Sequence, residues 1–200
     1  ACHSGSVPST WVVGNSKTMT FNGASYQVDI IGKNHDTYTA GGKAPLTFQL
    51  HDCYADTKVM NSSSTNSGGW TSCAMRSTHL PAILALMPTE IQNGIREVNK
   101  LTSAGSQSAT INTTADKLFL LSEVEIFGST SYSAAGEGTQ YDYYKAGNSK
   151  VKNRNGSAAI WWERSPNAGY STRFCLVDSN GSASIYGAST ARGVAFGFCF

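Results

Sequence analysis

Charge is what this chain has least of. Asp, Glu, Lys and Arg together supply 14% of its residues, well under the usual quarter, and the formal balance is only +2. The basic residues form no run or stripe that would track phosphates, so nucleic acid is not an expected partner. Long apolar stretches are lacking too. The longest, around Ile83 to Met87, is far too short to cross a bilayer, and no membrane insertion is expected. There is no C-x-x-C or H-E-x-x-H spacing, no G-x-S-x-G, and no glycine-rich loop between a strand and a helix. These gaps leave metal, serine-nucleophile and phosphate-cradling chemistry without a motif. The chain begins ACHSGS, with neither an initiator Met nor a signal-peptide pattern. The expectation is an upstream region that carries targeting or particle attachment.

What is present points to one domain. The 200 residues are 40% hydrophobic and 10% aromatic, enough to bury a core rather than remain disordered. Twenty glycines and many Ser, Thr and Asn replace the missing charge. Such a neutral, hydroxyl-rich surface is common in extracellular or particle-displayed β-rich proteins. Five cysteines leave at least one thiol unpaired. Cys53 with Cys73 and Cys175 with Cys199 are the pairings to test, against the preferred reading of buried thiols acting as small hydrophobes.

Along the chain, residues 1–20 read as a lead-in that becomes a strand around Trp11 to Val13. Asn22-Gly23 marks a hairpin turn, followed by alternating Tyr26, Val28 and Ile30. Pro45 to Leu50 is a short strand, and Asn61 to Gly69 a polar loop. Leu80, Ile83, Leu84 and Met87, then Ile91, Ile95 and Val98 after Pro88, predict two short helices end to end between Cys73 and Leu101. No other helix is predicted. Ser103 to Ala115 reads as polar and strand-poor, and Leu118 to Phe127 as a strong strand. Strands follow at Ala159 to Glu163, Arg173 to Asp178, Ala183 to Tyr186 and Gly193 to Phe198, with a turn at Asp178-Ser179-Asn180-Gly181. The class is α+β, with long loops and mostly antiparallel pairing.

Several constellations could carry chemistry. His35-Asp36 and His51-Asp52 resemble metal ligands, but neighbours on a strand face opposite ways, and structural hydrogen bonds are the preferred reading. Glu123 and Glu125 lie side by side on the predicted strand, unlike carboxylates that flank a sugar, and a solvent-facing or salt-bridged edge explains them. Asp178-x-Asn180-Gly181 opens like an EF-hand loop but has Ser189 where the closing glutamate belongs. Trp161, Trp162 and Arg164 could stack sugar; the preferred reading puts a Trp in the core and pairs Arg164 with a buried acid or carbonyl. No catalytic residue, metal or cofactor is assigned. Rigid ends around a mixed middle make residues 160–200 a framework for recognition.

The segments MNSSSTNSGGWTSCAMR, DKLFLLSEVEIFG, GEGTQYDYY, WWERSP, FCLVDSNGSA and GVAFGF resemble an uncharacterised domain family of gut bacteria and their phages. Its signature is WWLRSP followed by a closing GVRPAF-like strand; Glu163 stands here where Leu is usual, and Ala195-Phe196 replace Arg-Pro. The resemblance covers residues 21–200. It implies a C-type-lectin-like fold of the branch shared with formylglycine-generating enzymes, two short helices flanking the sheet. It also implies a variable protein of a diversity-generating retroelement, displayed on a phage virion or bacterial cell surface. Its partner would be a protein or glycan on a target cell. The ligand-binding residues so implied are Asn167, Ala168, Tyr170, Ser171, Arg173, Asp178, Ser179, Ile185, Tyr186, Ala188, Thr190 and Arg192. The alternatives are an enzyme of the formylglycine-generating or sulfoxide-forming type, needing a reactive cysteine pair or a three-histidine iron site, and a passive structural domain.

Overall fold

The computed structural model describes residues 7–200. Cys2 and the first residues of the lead-in lie outside them. Turns at Ser9–Thr10 and Val13–Gly14 flank Trp11 and Val12, with Trp11 N–H donating to Pro8 O at 2.9 Å. The expected strand there is corrected: β1 runs Ser16–Phe21. It pairs with β2 (Ala24–Gly32) through Asn22 and Gly23, both at positive φ, 49° and 72°. Two such residues match the right-handed twist of the flanking strands.

β3 (Thr47–Leu50), β6 (Leu118–Phe119) and β12 (Gly197–Cys199) complete a five-stranded sheet in the order β1-β2-β3-β12-β6. β9 (Trp161–Pro166), β10 (Arg173–Val177) and β11 (Ala183–Gly187) form a second sheet, order β11-β10-β9. Two hairpins, β4 (Val98–Ser103) with β5 (Ile111–Asp116) and β7 (Lys152–Arg154) with β8 (Ser157–Ala159), stand beside them. All these strand pairs are antiparallel. The short helices are α1 (Gly69–Ser72), α2 (Leu80–Ala85), α3 (Thr89–Gly94), α4 (Glu123–Phe127) and α5 (Asp142–Lys145), with a π turn at Met75–His79 before α2. The architecture is mixed α+β, and none of these helices could cross a membrane.

The expectation of only two helices is corrected, since α1, α4 and α5 add to them, and four further expectations change. The strand expected over Leu118 to Phe127 stops after Phe119, because Ser122 and Glu125 form a capping box that starts α4. Ser122 Oγ accepts Glu125 N–H at 3.3 Å, Glu125 Oε2 accepts Ser122 N–H at 3.0 Å, and Gly128 at φ 74° ends the helix. Ser103 to Ala115 is not strand-poor. Lys100, Thr102, Thr114 and Asp116 face inward on β4 and β5, so polar side chains occupy the positions where apolar alternation is sought. The second helix ends at Gly94 rather than reaching Val98, since Arg96 N–H bonds to Cys199 O and draws the chain into the sheet. The closing strand pairs only from Gly197 to Cys199, with Val194 and Phe196 carbonyls accepting from Tyr54 and Leu50.

Trp161 and Trp162 are both fully buried, worth about 5 kcal/mol each as an upper bound on apolar burial. Their indole N–H groups donate to Lys150 O and Lys58 O at 3.0 and 2.9 Å. Arg164 follows them into the core. Its Nη1 and Nη2 meet Glu125 at 2.5 and 2.9 Å, and its other N–H groups reach the carbonyls of Leu101, Leu120 and Glu137. The pairing with a buried acid and carbonyls is as expected. Lys100 bridges Glu125 and Asp36 at 2.7 and 2.8 Å. Burial pushes the Glu125 and Asp36 carboxyls up, but Arg164 and Lys100 outweigh it at Glu125, and Lys100 and Thr47 at Asp36; both end below their ordinary values.

Candidate ligand-binding face

The tail builds one face from two loops and a hairpin. Between β9 and β10 the chain turns through residues 167–172, and after β11 it returns through residues 188–193. Asn66, fully buried, staples the first loop. Its Nδ2 donates to the carbonyls of Asn167, Tyr170 and Arg173 at 3.3, 3.0 and 2.8 Å, and its N–H donates to Ser171 O at 2.7 Å. Its Oδ1 accepts Ser106 N–H at 2.8 Å. The sequence presents Asn66 only as one polar residue in a polar loop, so nothing distinguished it.

Of the twelve candidate residues, ten reach the surface at least in part and two do not. Asn167 is buried: its Oδ1 accepts Gly169 and Tyr170 N–H, and its Nδ2 donates to Tyr132 O. Ala188 is fully buried, its backbone shared between Thr172 O and the N–H groups of Met60 and Asn61. These two shape the loops instead of presenting a side chain, and their assignment as ligand contacts is corrected. Ala168, Tyr170, Ser171, Ser179 and Tyr186 are exposed, while Arg173, Asp178, Ile185, Thr190 and Arg192 are partly so.

Register then divides the ten. Arg173 pairs with Gly187 and Phe174 with Tyr186, which brings the β9–β10 loop beside the end of β11. Thr190 joins them through its N–H to Gly187 O. Asp178 and Ser179 sit in the turn at the other end of the hairpin, on the order of 13 Å along the strand. That turn is held by Asp178 and Asn180 side chains on local backbone N–H groups, as the Asn-Gly signal implied.

The exposed aromatic and basic residues pair off. The Arg173 guanidinium lies 4.5 Å from the Tyr170 ring centre, and that of Arg192 lies 4.3 Å from the Tyr186 ring centre. Neither arginine meets a carboxylate among the described residues. Tyr170 and Tyr186 are 55% and 46% exposed, the two most exposed aromatic side chains described.

Beneath this face lies an unusual acidic layer. Glu123 accepts the backbone N–H groups of Ser131, Tyr132 and Ser133 at 2.7 to 3.1 Å, and Tyr132 O in turn accepts Asn167 Nδ2 and Ala168 N–H. Glu123 and Glu125 therefore lie on a buried helix instead of the expected strand edge, and Glu125 alone of the two is salt-bridged among the described residues. Glu163 is fully buried with both carboxyl oxygens unpartnered, and burial together with Glu123 and Glu137 holds its pKa well above the usual 4.5. Between Trp162 and Pro166 the β9 strand carries extra residues against β10, and this bulge places Glu163 to Ser165 opposite Cys175.

The remaining candidates are structural. His35 stacks on Tyr141 with ring centres 4.0 Å apart, Asp36 joins Lys100, His51 Nδ1 meets Asp29 at 2.7 Å, and Asp52 accepts Asn153 N–H. Among the described residues, no three His, Cys, Asp or Glu side chains converge in a metal-ligand arrangement. Cys53, Cys73, Cys175 and Cys199 are free, buried thiols, so neither tested pairing forms a disulfide.

The fold and face define a mixed α+β domain whose C-terminal loops carry an exposed Tyr and Arg surface. The chain belongs to DUF6273, a family of domains of unknown function, whose model matches residues 46–199. Neither a curated protein nor a solved structure matches it.

Proposed function

We propose that this domain is a ligand- or receptor-binding module that recognises its partner through the face built by residues 168–173 and 185–192. The observation that carries the reading is the pair of Tyr–Arg stacks, Tyr170 with Arg173 and Tyr186 with Arg192, exposed above a base of buried hydrogen bonds. Tyr supplies large contact area at low entropic cost and Arg supplies directional bonds, and both are enriched in binding hot spots. The serine and threonine neighbours add adaptable polar contacts. Anchoring through Asn66 and Asn167 backbone contacts would let the exposed side chains vary without loosening the loop.

The finer assignment, by resemblance, is a C-type-lectin-like fold and the variable domain of a retroelement-diversified protein. Its place would be a phage virion or bacterial surface, and its partner a protein or glycan on a target cell. The short helices, antiparallel sheets and C-terminal placement of the exposed loops support it. The buried, unpaired cysteines weigh toward binding over the cysteine-enzyme alternative.

The test is adsorption of the fluorescently labelled domain to a panel of gut bacterial cells. Replacing Tyr170, Arg173, Tyr186 and Arg192 together by Ala should abolish adsorption while leaving the melting temperature unchanged. A quadruple variant that adsorbs as well as the parent would overturn the reading.

A further inference from the structure

Arg192 looks two ways. Its guanidinium covers the Tyr186 ring, and the residue also lines a hollow of about 460 Å³ between β8 and the segment Ala191–Gly193. Arg154, at the end of β7, lines the same hollow, with Thr57 and Ser157 supplying hydroxyls and Ile160 an apolar wall. Its size lies within the range of small-ligand sites.

Both guanidiniums have donors to spare. Arg154 spends one N–H on Ala55 O at 3.0 Å, and Arg192 one on Ala191 O at 3.3 Å. Arg192 Nε is shielded from solvent and has no acceptor. A desolvated N–H donor without a partner is costly, and it is the remaining Nη donors of the two arginines that an incoming oxyanion would meet. No carboxylate pairs with either arginine among the described residues. The acids of the adjoining loops are engaged elsewhere, Asp52 with Asn153 N–H and Asp56 with Lys58.

We propose that this hollow binds the anionic group of an acidic saccharide, a uronate carboxylate or a sugar sulfate. Two forked guanidiniums suit a single oxyanion. The hydroxyls of Thr57 and Ser157 match sugar hydroxyls, and Ile160 suits the apolar face of a pyranose. A nucleic acid would need a longer basic track than two arginines on a chain of net charge +2. The site adjoins the face of the proposed function and shares only Arg192 with it, so Arg154 and Ser157 report on the hollow alone.

Isothermal titration of the 200-residue chain tests this with four probes: trigalacturonate, a heparin tetrasaccharide, maltotriose and sodium sulfate. At least one acidic probe should bind with a dissociation constant below about 1 mM and weaken as salt is raised. Trigalacturonate binding would assign the carboxylate, and heparin binding alone the sulfate. Arg154→Gln and Arg192→Gln should each weaken binding by about tenfold or more, with Arg154→Lys recovering part of the loss. Ser157→Glu, at an exposed position, should abolish binding by placing a carboxylate in the hollow while keeping every native contact of the arginines. The proposal is overturned if neither acidic probe binds, or if maltotriose or free sulfate binds as tightly as the acidic probes. It also fails if Arg154→Gln and Ser157→Glu, still folded by melting temperature, bind like the parent. Loss of cell adsorption in the Tyr170 and Arg173 variants with the hollow intact would separate the two sites.

Discussion

Arg164 and Glu125 face each other as fork to fork, Nη1 to Oε2 at 2.5 Å and Nη2 to Oε1 at 2.9 Å, both side chains sealed from solvent. The pair ties β9, the strand that leads into the binding loop, to α4, whose Glu123 holds the loop at Ser131 to Ser133. Lys100 extends the tie to Asp36 and so to the β3 side of the large sheet through Thr47. Ten of the chain's 28 Asp, Glu, Lys and Arg residues are buried, which thins an already sparse surface charge further.

Removing one member should leave the other charged and buried. Arg164→Lys keeps the charge but loses the fork, and Glu125→Gln leaves Arg164 and Lys100 with no shared counter-ion. Each should cost about 3–5 kcal/mol in urea unfolding. A cost near that of a surface ion pair, under about 1 kcal/mol, would contradict this account.

Glu163 gives a pH signature of opposite character. Its carboxyl has no hydrogen-bond partner, and burial first, then Glu123 and Glu137, hold its pKa above 4.5. Below that value the folded and unfolded states are both protonated and Glu163 imposes no ionic penalty. Above it the unfolded chain releases the proton while the folded chain keeps it, so stability falls as pH rises, by up to about 1.4 kcal/mol per unit. Glu163→Leu should raise the melting temperature more at pH 8 than at pH 4. Glu137, raised chiefly by burial, leaves some slope behind. Equal gains at both values would refute the assignment.

The parts of this structure that were legible in the sequence are those where polarity and position agree. Asn22-Gly23 turned as expected, and the strands expected at Arg173 to Asp178 and Ala183 to Tyr186 pair as Arg173–Val177 with Ala183–Gly187, while the core takes both Trp161 and Trp162 where one was expected. The failures cluster where polar groups are buried. Lys100, Thr102, Thr114 and Asp116 face inward and hide the β4–β5 hairpin from any apolar pattern. The Ser122–Glu125 capping box was readable as Ser-x-x-Glu, yet the apolar run Leu118 to Leu121 before it read as strand. In the candidate face, Tyr170 and Tyr186 are exposed, while Asn66 is invisible in the sequence because three of its contacts lie 101 to 107 residues away.

Cysteine reactivity follows from burial. The Cys53 and Cys73 thiols are pushed up to about 11 and about 12, and those of Cys175 and Cys199 well above 9.0, by desolvation in each case. Thiolate is the reacting form, so at pH 8 little is present and none is accessible. In a Cys2→Ser variant, Ellman's reagent should titrate no thiol in the native protein and four after denaturation. A fast native reaction would place at least one of them at the surface.

Gly105 is needed for room as well as for backbone. It sits at φ 73°, and a Cβ there would lie 1.8 Å from Asn66 O. Gly105→Ala should therefore displace the segment that carries Asn66 and cost more than about 2 kcal/mol. The same variant should lower the protease resistance of residues 167–173, which Asn66 staples. Gly23→Ala, also at positive φ but with open space around it, should cost only about 1 kcal/mol and leave that loop protected.

Asn66 and Tyr170 offer the sharpest separation of framework from contact surface. Asn66 is fully buried and donates to three carbonyls of the loop, so Asn66→Ala leaves those acceptors unpaired and should cost about 1–3 kcal/mol. Tyr170 is 55% exposed and its ring lies under the Arg173 guanidinium, so Tyr170→Ala should change stability by less than about 0.5 kcal/mol. Binding should divide the other way. Tyr170→Ala should weaken cell adsorption with unfolding unchanged, whereas Asn66→Ala should weaken it only as far as the loop loosens, and hydrogen exchange at Gly169 to Arg173 should report that loosening. If Tyr170→Ala unfolds the loop as readily as Asn66→Ala, the exposed residues belong to the framework and the separation fails.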